Sequence, residues 1–243
     1  GDHRDLHSFP TQRSSDLILH AWQAWGSQCV QRLRGMFAFA IWDQKRRHLF
    51  LARDRLGIKP LYYALLPNGH FVFGSELKAL LPHPALPRDR DPMAIEEYFA
   101  YGYIPEPRTI FSGVRKLPPG HTLLIEKGQT LLPRTNQYWD IPFTDSGLAS
   151  QDSAESELIE RLREAVDIRL VAEVPLGAFL SGGVDSSAIV ALMAGLVDQP
   201  VKTCSIGFDE AEFDETAYAL KVAERYHTDR KSTRLNSSHR IRS

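Results

Sequence analysis

The sequence predicts an antiparallel-rich α+β unit followed by an α/β unit built on a parallel sheet. Three observations carry this. The first half alternates short apolar strands with polar or Asn-Gly turns and little intervening helix, the pattern of hairpins. After residue 152, strand and helix alternate, which implies parallel strands joined by right-handed crossovers. Between them, 129–151 contains Pro, Thr, Ser and Gly around Tyr138-Trp139-Asp140. It reads as an interdomain linker, pinned to one domain by Trp139.

The 243 residues are enough for one large domain or two modest ones, and 43% hydrophobic content is ordinary for a soluble chain. A formal net charge of −1 argues against a dominant polyanion partner, so no nucleic acid is expected. No apolar run reaches the roughly 18–20 residues of a membrane span, and no signal-peptide pattern is present. No membrane association is expected, and the cytoplasm is the expected compartment. The two cysteines, Cys29 and Cys204, sit in apolar surroundings. They read as buried thiols in a reducing compartment rather than a disulfide.

The two ends stand apart. Residues 1–17 are polar and patternless, and the run from His7 to Leu17 resembles the conceptual translation of a sequencing adapter. So does the run from Lys231 to His239, within an Arg-rich tail that at face value would suggest a nucleic-acid arm. The adapter reading explains both ends together. Residues 1–17 and 230–243 are therefore expected to be non-native and are set aside from the fold reading, leaving an internal fragment, 18–229, give or take a few residues.

Within that fragment, 18–33 places Leu19, Trp22, Trp25, Cys29, Val30 and Leu33 at mostly helical spacing, with a break near Gly26. An aromatic-rich strand over 35–42, a polar turn over 43–47 and a return strand over 48–53 form a hairpin. A charged turn over 53–60 leads into a strand at Leu61-Tyr62-Tyr63, and Pro67-Asn68-Gly69 marks the turn before a strand over 70–74. Residues 75–81 start with Ser75 as a plausible cap and stop before Pro82. Pro92 opens a short helix over 91–101, and 121–125 is a strand. In the second unit, 152–170 carries Leu158, Leu162, Ala165, Val166 and Leu170 on one helical face, capped by Asp152 or Ser153. Residues 201–208 form a strand and 214–227 a helix.

The second unit is organised around Ser181-Gly182-Gly183-Val184-Asp185-Ser186-Ser187. The apolar run 174–180 before it suits a buried parallel strand, and the run from Ala188 to Leu196 after it suits a helix. Small residues at a strand-to-helix turn let backbone N–H groups approach a ligand, and the helix start favours an anion. The hydroxyls of Ser181, Ser186 and Ser187 can donate to phosphate oxygens. Asp185 would be repelled by phosphate unless a cation bridges them, which implies Mg²⁺. No lysine lies in the turn, so it is not a Walker A loop, and it lacks the third glycine of a dinucleotide fingerprint. An ordinary turn with Asp185 at a helix start is the plain alternative. In a parallel sheet, ligands bind at the carboxyl ends of the strands, which places Ile206 and Gly207 beside Ser181. Leu180 and Ile206 would alternatively be simple core residues.

This turn resembles the pyrophosphate loop of ATP pyrophosphatases, which adenylate a substrate and release pyrophosphate. Its flanks, Val174-Pro175-Leu176-Gly177-Ala178-Phe179-Leu180 and Lys202-Thr203-Cys204-Ser205-Ile206-Gly207-Phe208, resemble glutamine-dependent asparagine synthetase and its close relatives. In the first half, Arg34-Gly35-Met36-Phe37-Ala38-Phe39-Ala40, the run from Arg53 to Tyr63, Ser75-Glu76-Leu77-Lys78-Ala79-Leu80 and Lys116-Leu117-Pro118-Pro119-Gly120 resemble the class II glutaminase domain. That resemblance implies an α+β antiparallel sandwich of two sheets between helices, partial here over 18–128. It further implies an α/β parallel-sheet ATP-pyrophosphatase domain, partial over 152–229. The implied function is an ATP-dependent, glutamine-hydrolysing amidotransferase. One domain frees ammonia from glutamine, and the other adenylates aspartate for ammonia to attack, with ATP and Mg²⁺ required. By the same resemblance Ser181, Gly182, Gly183, Asp185, Ser186 and Ser187 hold ATP pyrophosphate. Leu180, Ile206 and Gly207 contact adenine, and Asp185 serves the metal. Expected partners are the small molecules glutamine, aspartate or another carboxylate, and ATP, with a homodimer in the full-length enzyme.

The departures from the family are specific. Its N-terminal cysteine nucleophile, glutamine-carboxylate arginine, oxyanion-hole Asn-Gly and glutamine-binding aspartate all precede the position of Ile18. Asp16 lies two places later than the last of these. Cys29 is internal, without an α-amino group as base. No glutaminase catalytic residue is therefore assigned, and Arg53 with Asp54 reads as a structural ion pair that holds its turn. The family's second Gly-Asp-Glu loop belongs beyond His227, so this polypeptide is not expected to complete either half-reaction. Alternative functions are a related amidotransferase or β-lactam-type synthetase adenylating another carboxylate, or a non-catalytic ATP-binding scaffold.

Overall fold

Residues 14–126, 135–143, 147, 150–172, 174–210, 212 and 214–235 are described by a computed structural model. The chain divides into two units, Gly1–Phe143 and Thr144–Ser243.

The first unit begins with α1 (Ser14–Trp25), followed by a 3₁₀ helix over Gly26–Arg32. Gly26, at φ +56°, makes the break that its position in the sequence predicted. The helix starts at Ser14, a few residues ahead of the Ile18 boundary read from the sequence. Then come β1 (Ala38–Asp43), β2 (His48–Arg53), β3 (Tyr62–Leu65), β4 (Phe71–Gly74), α2 (Leu77–Leu80), α3 (Pro92–Tyr101), β5 (Arg115–Lys116), β6 (His121–Glu126) and β7 (Asn136–Gln137). They form two antiparallel sheets, one ordered β1-β2-β6-β7 and the other β4-β3-β5. Asn136–Gln137, which the linker reading left outside the domain, is thus an edge strand of the first sheet.

The period-2 alternation of the strands decides the layering. On β2, Phe50 and Ala52 join Ala21, Cys29, Val30 and Ile41 in a core under α1 and the 3₁₀ helix. Leu51, between them, turns the other way and packs with Leu61, Tyr63, Leu117 and Leu123 from both sheets. On β3, Ala64 faces a third core with Leu66, Leu80, Leu86 and Val114. Helical cover, sheet, sheet and outer cover follow in that order. Asp91 caps α3 through Met93 N at 3.0 Å, with Pro92 at the first helical position and Gly102 at φ +77° closing it. Ser75 does not cap α2, whose N-cap residue is Glu76, with no side-chain cap bond.

Arg53 and Asp54 are both buried, and each holds the turn through its own partners rather than through the other. Arg53 donates to Glu106 Oε1 at 2.6 Å and to the carbonyls of Leu117, Gly57 and Lys59 at 2.6, 2.7 and 2.8 Å. Asp54 accepts the amides of Ile58 and Lys59, both at 2.9 Å, and of Phe37 at 3.3 Å. The structural role stands, and the direct pairing is corrected. A buried guanidinium with five donors is satisfied best by several fixed oxygens, and a carboxylate by convergent amides.

The second unit contains α4 (Gln151–Leu170), β8 (Gly177–Phe179), α5 (Val184–Ala194), β9 (Lys202–Phe208), α6 (Thr216–Arg225) and β10 (Asp229–Leu235). Its sheet is parallel, ordered β10-β9-β8. Ser150, not Asp152 or Ser153, caps α4, accepting Ser153 N at 3.2 Å. The expectation that β8 is a buried strand is corrected: it is an edge strand of three residues, and Phe179 is 77% exposed. Residues 230–235, set aside with the tail, complete the ladder with Thr203 to Phe208. A parallel ladder needs only backbone donors and acceptors, so an edge position admits residues with no apolar pattern.

Candidate functional site

The site is built where β8 ends and α5 begins. Leu180, fully buried, donates its amide to the Cys204 carbonyl at 2.9 Å, the last backbone bond from β8 to β9. The chain then leaves the sheet through Ser181 and Gly182. Gly182 adopts φ +89°, and an added Cβ there would lie 2.5 Å from Ala219 N and 2.5 Å from Tyr218 Cβ. Only glycine permits both the conformation and that approach to α6. Gly183 is the N-cap residue of α5, and its amide donates to Ser181 Oγ at 3.2 Å. Ser186 Oγ lies 3.1 Å from Ser181 Oγ and donates to the Gly183 carbonyl at 3.2 Å. The Ser187 amide closes the first turn on Gly183 O at 3.0 Å. The seven-residue stretch is thus a strand-to-helix bend tied by its own hydroxyls, with α5 starting at Val184, earlier than the apolar run predicted.

A cavity of about 260 Å³ opens at the carboxyl ends of β8 and β9. It is lined by Leu180, Ser181 and Ile206 together with Ser205, Glu215 and Thr216. Asp185 and Ser186 line a different cavity, of about 560 Å³, between α4, β8 and α5. Phe179 borders both cavities. The 3.1 Å contact between the Ser181 and Ser186 hydroxyls bridges the two groups. Gly207, expected beside the turn, is buried within β9 opposite Arg234 and lines neither cavity.

Sequence reasoning missed Ser205, Glu215 and Thr216. Ser205 is 2% exposed and donates its hydroxyl to the Leu180 carbonyl at 2.7 Å. A polar residue inside an apolar strand was the available signal. Glu215 and Thr216 stand at the start of α6, where Asp214 Oδ1 accepts the Thr216 amide at 3.1 Å. An Asp-Glu-Thr run ahead of a helical pattern marks such a start.

In the first unit, Cys29 lies fully buried in the core under α1, and burial pushes its thiol pKa up. An activated thiol needs the opposite environment. Among the described residues, no group of three or more His, Cys, Asp or Glu side chains is placed to hold a metal ion. No described helix is long and apolar enough to cross a membrane.

The family described as "Glutamine amidotransferase domain" matches residues 3–139, and the family described as "Asparagine synthase" matches residues 157–242. The chain belongs to the glutamine amidotransferase domain family, whose match spans more than half of it. The glutamine-hydrolyzing asparagine synthetase 3 of Bacillus subtilis is 38% identical over 209 residues, covering 84% of this chain and 33% of the relative. The glutamine-hydrolyzing asparagine synthetase 1 of the same organism is 32% identical over 218 residues, covering 89% and 33%. Amidase chry2 of Gibberella zeae is 32% identical over 237 residues, covering 90% and 34%. The chain therefore spans about a third of the length of these curated relatives. The amidotransferase match falls on the first unit and the synthase match on the second.

Proposed function

We propose that the chain serves an ATP-dependent, glutamine-hydrolysing amidotransferase that activates a carboxylate as its acyl-adenylate for attack by ammonia. The names of the Bacillus subtilis relatives point to aspartate as that carboxylate. On this reading 18–128 contributes to ammonia release from glutamine, and 152–229 contributes the nucleotide site. The observation that carries it is the bend from Ser181 to Ser187, set at the carboxyl end of a parallel strand and opening a helix beside a cavity.

Leu180 and Ile206 would flank the adenine, and Ser181, Gly182, Gly183, Ser186 and Ser187 would hold the pyrophosphate. Glycine at 182 and 183 keeps the backbone amides accessible. Asp185, exposed in the first turn of α5, is the carboxylate that would hold Mg²⁺. A single carboxylate suits that ion, which takes most of its remaining ligands from phosphates and water. When bound, Mg²⁺ offsets the charge that develops on the departing pyrophosphate.

Calorimetric titration with ATP–Mg²⁺ tests the reading. The chain is expected to bind, and Asp185→Ala to weaken binding by about 1–3 kcal/mol, the loss of one charge-assisted contact. Unchanged affinity in that variant would remove Asp185 from the site. Absence of binding by the unsubstituted chain would leave only a scaffold role. The similarity to amidase chry2 supports a second reading, an amidotransferase adenylating a different carboxylate at the same bend.

A further inference from the structure

We infer that Glu215 selects the sugar of the nucleotide, its carboxylate accepting both hydroxyls of the ribose 2′,3′-diol. The inference rests on the nucleotide reading of the cavity and adds the side chain that distinguishes a ribonucleotide there.

Glu215 is placed by the backbone around it. Its carbonyl accepts the amides of Tyr218 and Ala219, both at 3.1 Å, which closes the first turn of α6. That turn lies against the bend, since a Cβ built at Gly182 would meet Tyr218 Cβ and Ala219 N, each at 2.5 Å. The start of α6 is therefore fixed to the residue that follows Ser181, and Ser181 and Glu215 line the same cavity.

The helix makes no use of the carboxylate. Glu215 is the N-cap residue of α6 but forms no side-chain cap bond, and Asp214 Oδ1 takes the Thr216 amide instead, at 3.1 Å. Among the described residues, no hydrogen bond or ion pair engages the Glu215 side chain. It is also, among them, the one charged side chain lining the cavity, which Phe179, Leu180, Ile206 and Phe208 make largely apolar.

Charge decides which part of a nucleotide it meets. A carboxylate repels phosphate, and the residues from Gly183 to Ser187, which open α5, do not line this cavity. Glu215 therefore faces the nucleoside. An ionised carboxylate only accepts hydrogen bonds, and it does so through two oxygens. The vicinal hydroxyls of ribose present two donors side by side, whereas the base amine is a single group. Acidic side chains take ribose hydroxyls in this way in dinucleotide-binding folds. Bonds to an ionised acceptor are roughly twice as strong as neutral ones, so loss of the diol is costly.

Calorimetric titration of the whole chain with the Mg²⁺ complexes of ATP, 2′,3′-dideoxy-ATP and GTP tests the assignment. The unsubstituted protein is expected to bind ATP about 10- to 100-fold more tightly than the dideoxy analogue, the range for losing hydrogen bonds to a charged group. Glu215→Ala should weaken ATP by that factor and leave the dideoxy analogue unchanged, so that the ratio falls to near unity. Glu215→Gln, which keeps one acceptor oxygen, should fall between them and replaces the alanine variant if that one fails to fold. An unchanged ratio in both variants would overturn the role of Glu215 while leaving the nucleotide site intact. Collapse of the ATP-to-GTP ratio alone would move the carboxylate to the base and overturn the diol assignment. Failure of the unsubstituted chain to bind ATP would overturn both the assignment and the nucleotide reading beneath it.

Discussion

Two adjacent glycines carry different burdens at the bend. Gly182 is at φ +89° with backbone of α6 within 2.6 Å of a built Cβ, whereas Gly183 is at φ −67° and its built Cβ meets only Ser181 Oγ, at 3.4 Å. Gly182→Ala must displace α6 or distort the turn, and is expected to destabilise the second unit by about 1–3 kcal/mol or more. Gly183→Ala should cost well under that. Urea unfolding of the two variants, followed by a signal from the second unit, gives the comparison. The bend itself was legible because its residue types are rare together and each has a separate chemical reason. The partition of its side chains was not. Ser181 and Asp185 are four residues apart, yet the start of α5 turns them to different cavities, and no property of the string records that rotation. Ser205 stayed hidden for a similar reason, since its importance lies in the carbonyl it reaches 25 positions away.

Elements show the same division between local and long-range information. Helix α3 was legible to within one residue because Pro92 is a local signal that no distant contact overrides, and Asp91 and Gly102 close its two ends. Strand β7 was not, because Asn136–Gln137 has neither length nor apolar character and exists only through β6. Tyr138, next in the chain, anchors it: its hydroxyl donates to the Arg53 carbonyl at 2.8 Å. Burial first, and the nearby Asp54 carboxylate second, push the Tyr138 pKa up to about 12. A phenol whose folded value lies above the unfolded value of about 10 holds its proton more tightly in the native state. Its contribution to stability is complete below about pH 10 and is lost as pH rises toward about 12. Between those values the first unit should lose stability with a slope that Tyr138→Phe reduces, the remainder coming from Tyr63, whose phenol burial also pushes up. Equilibrium unfolding of both proteins at stepped alkaline pH measures it, and parallel slopes would exclude Tyr138 as the source.

Across the whole chain, the order of an antiparallel unit before a parallel one follows from connection length alone, since hairpins join by short turns and parallel strands require crossovers. What the pattern did not disclose is how much apolar surface the second unit leaves in water. Leu162, Leu176, Phe179 and Ile189 all line the larger cavity and are all exposed, Phe179 most of all. Such a patch exceeds what an isolated surface residue explains. The chain is expected to take up an apolar dye such as ANS under native conditions, and Phe179→Ser to reduce the fluorescence by about half or more while leaving the circular dichroism unchanged. In the first unit the reverse condition holds at β2, where Phe50 and Ala52 serve the core under α1 while Leu51 serves the one between the sheets. One short segment is therefore shared by two interiors of unlike shape. Inserting a single amino acid ahead of Phe50 would send the phenyl ring where a leucine now fits and leave a hole where the ring had been, so that one genetic event damages both at once.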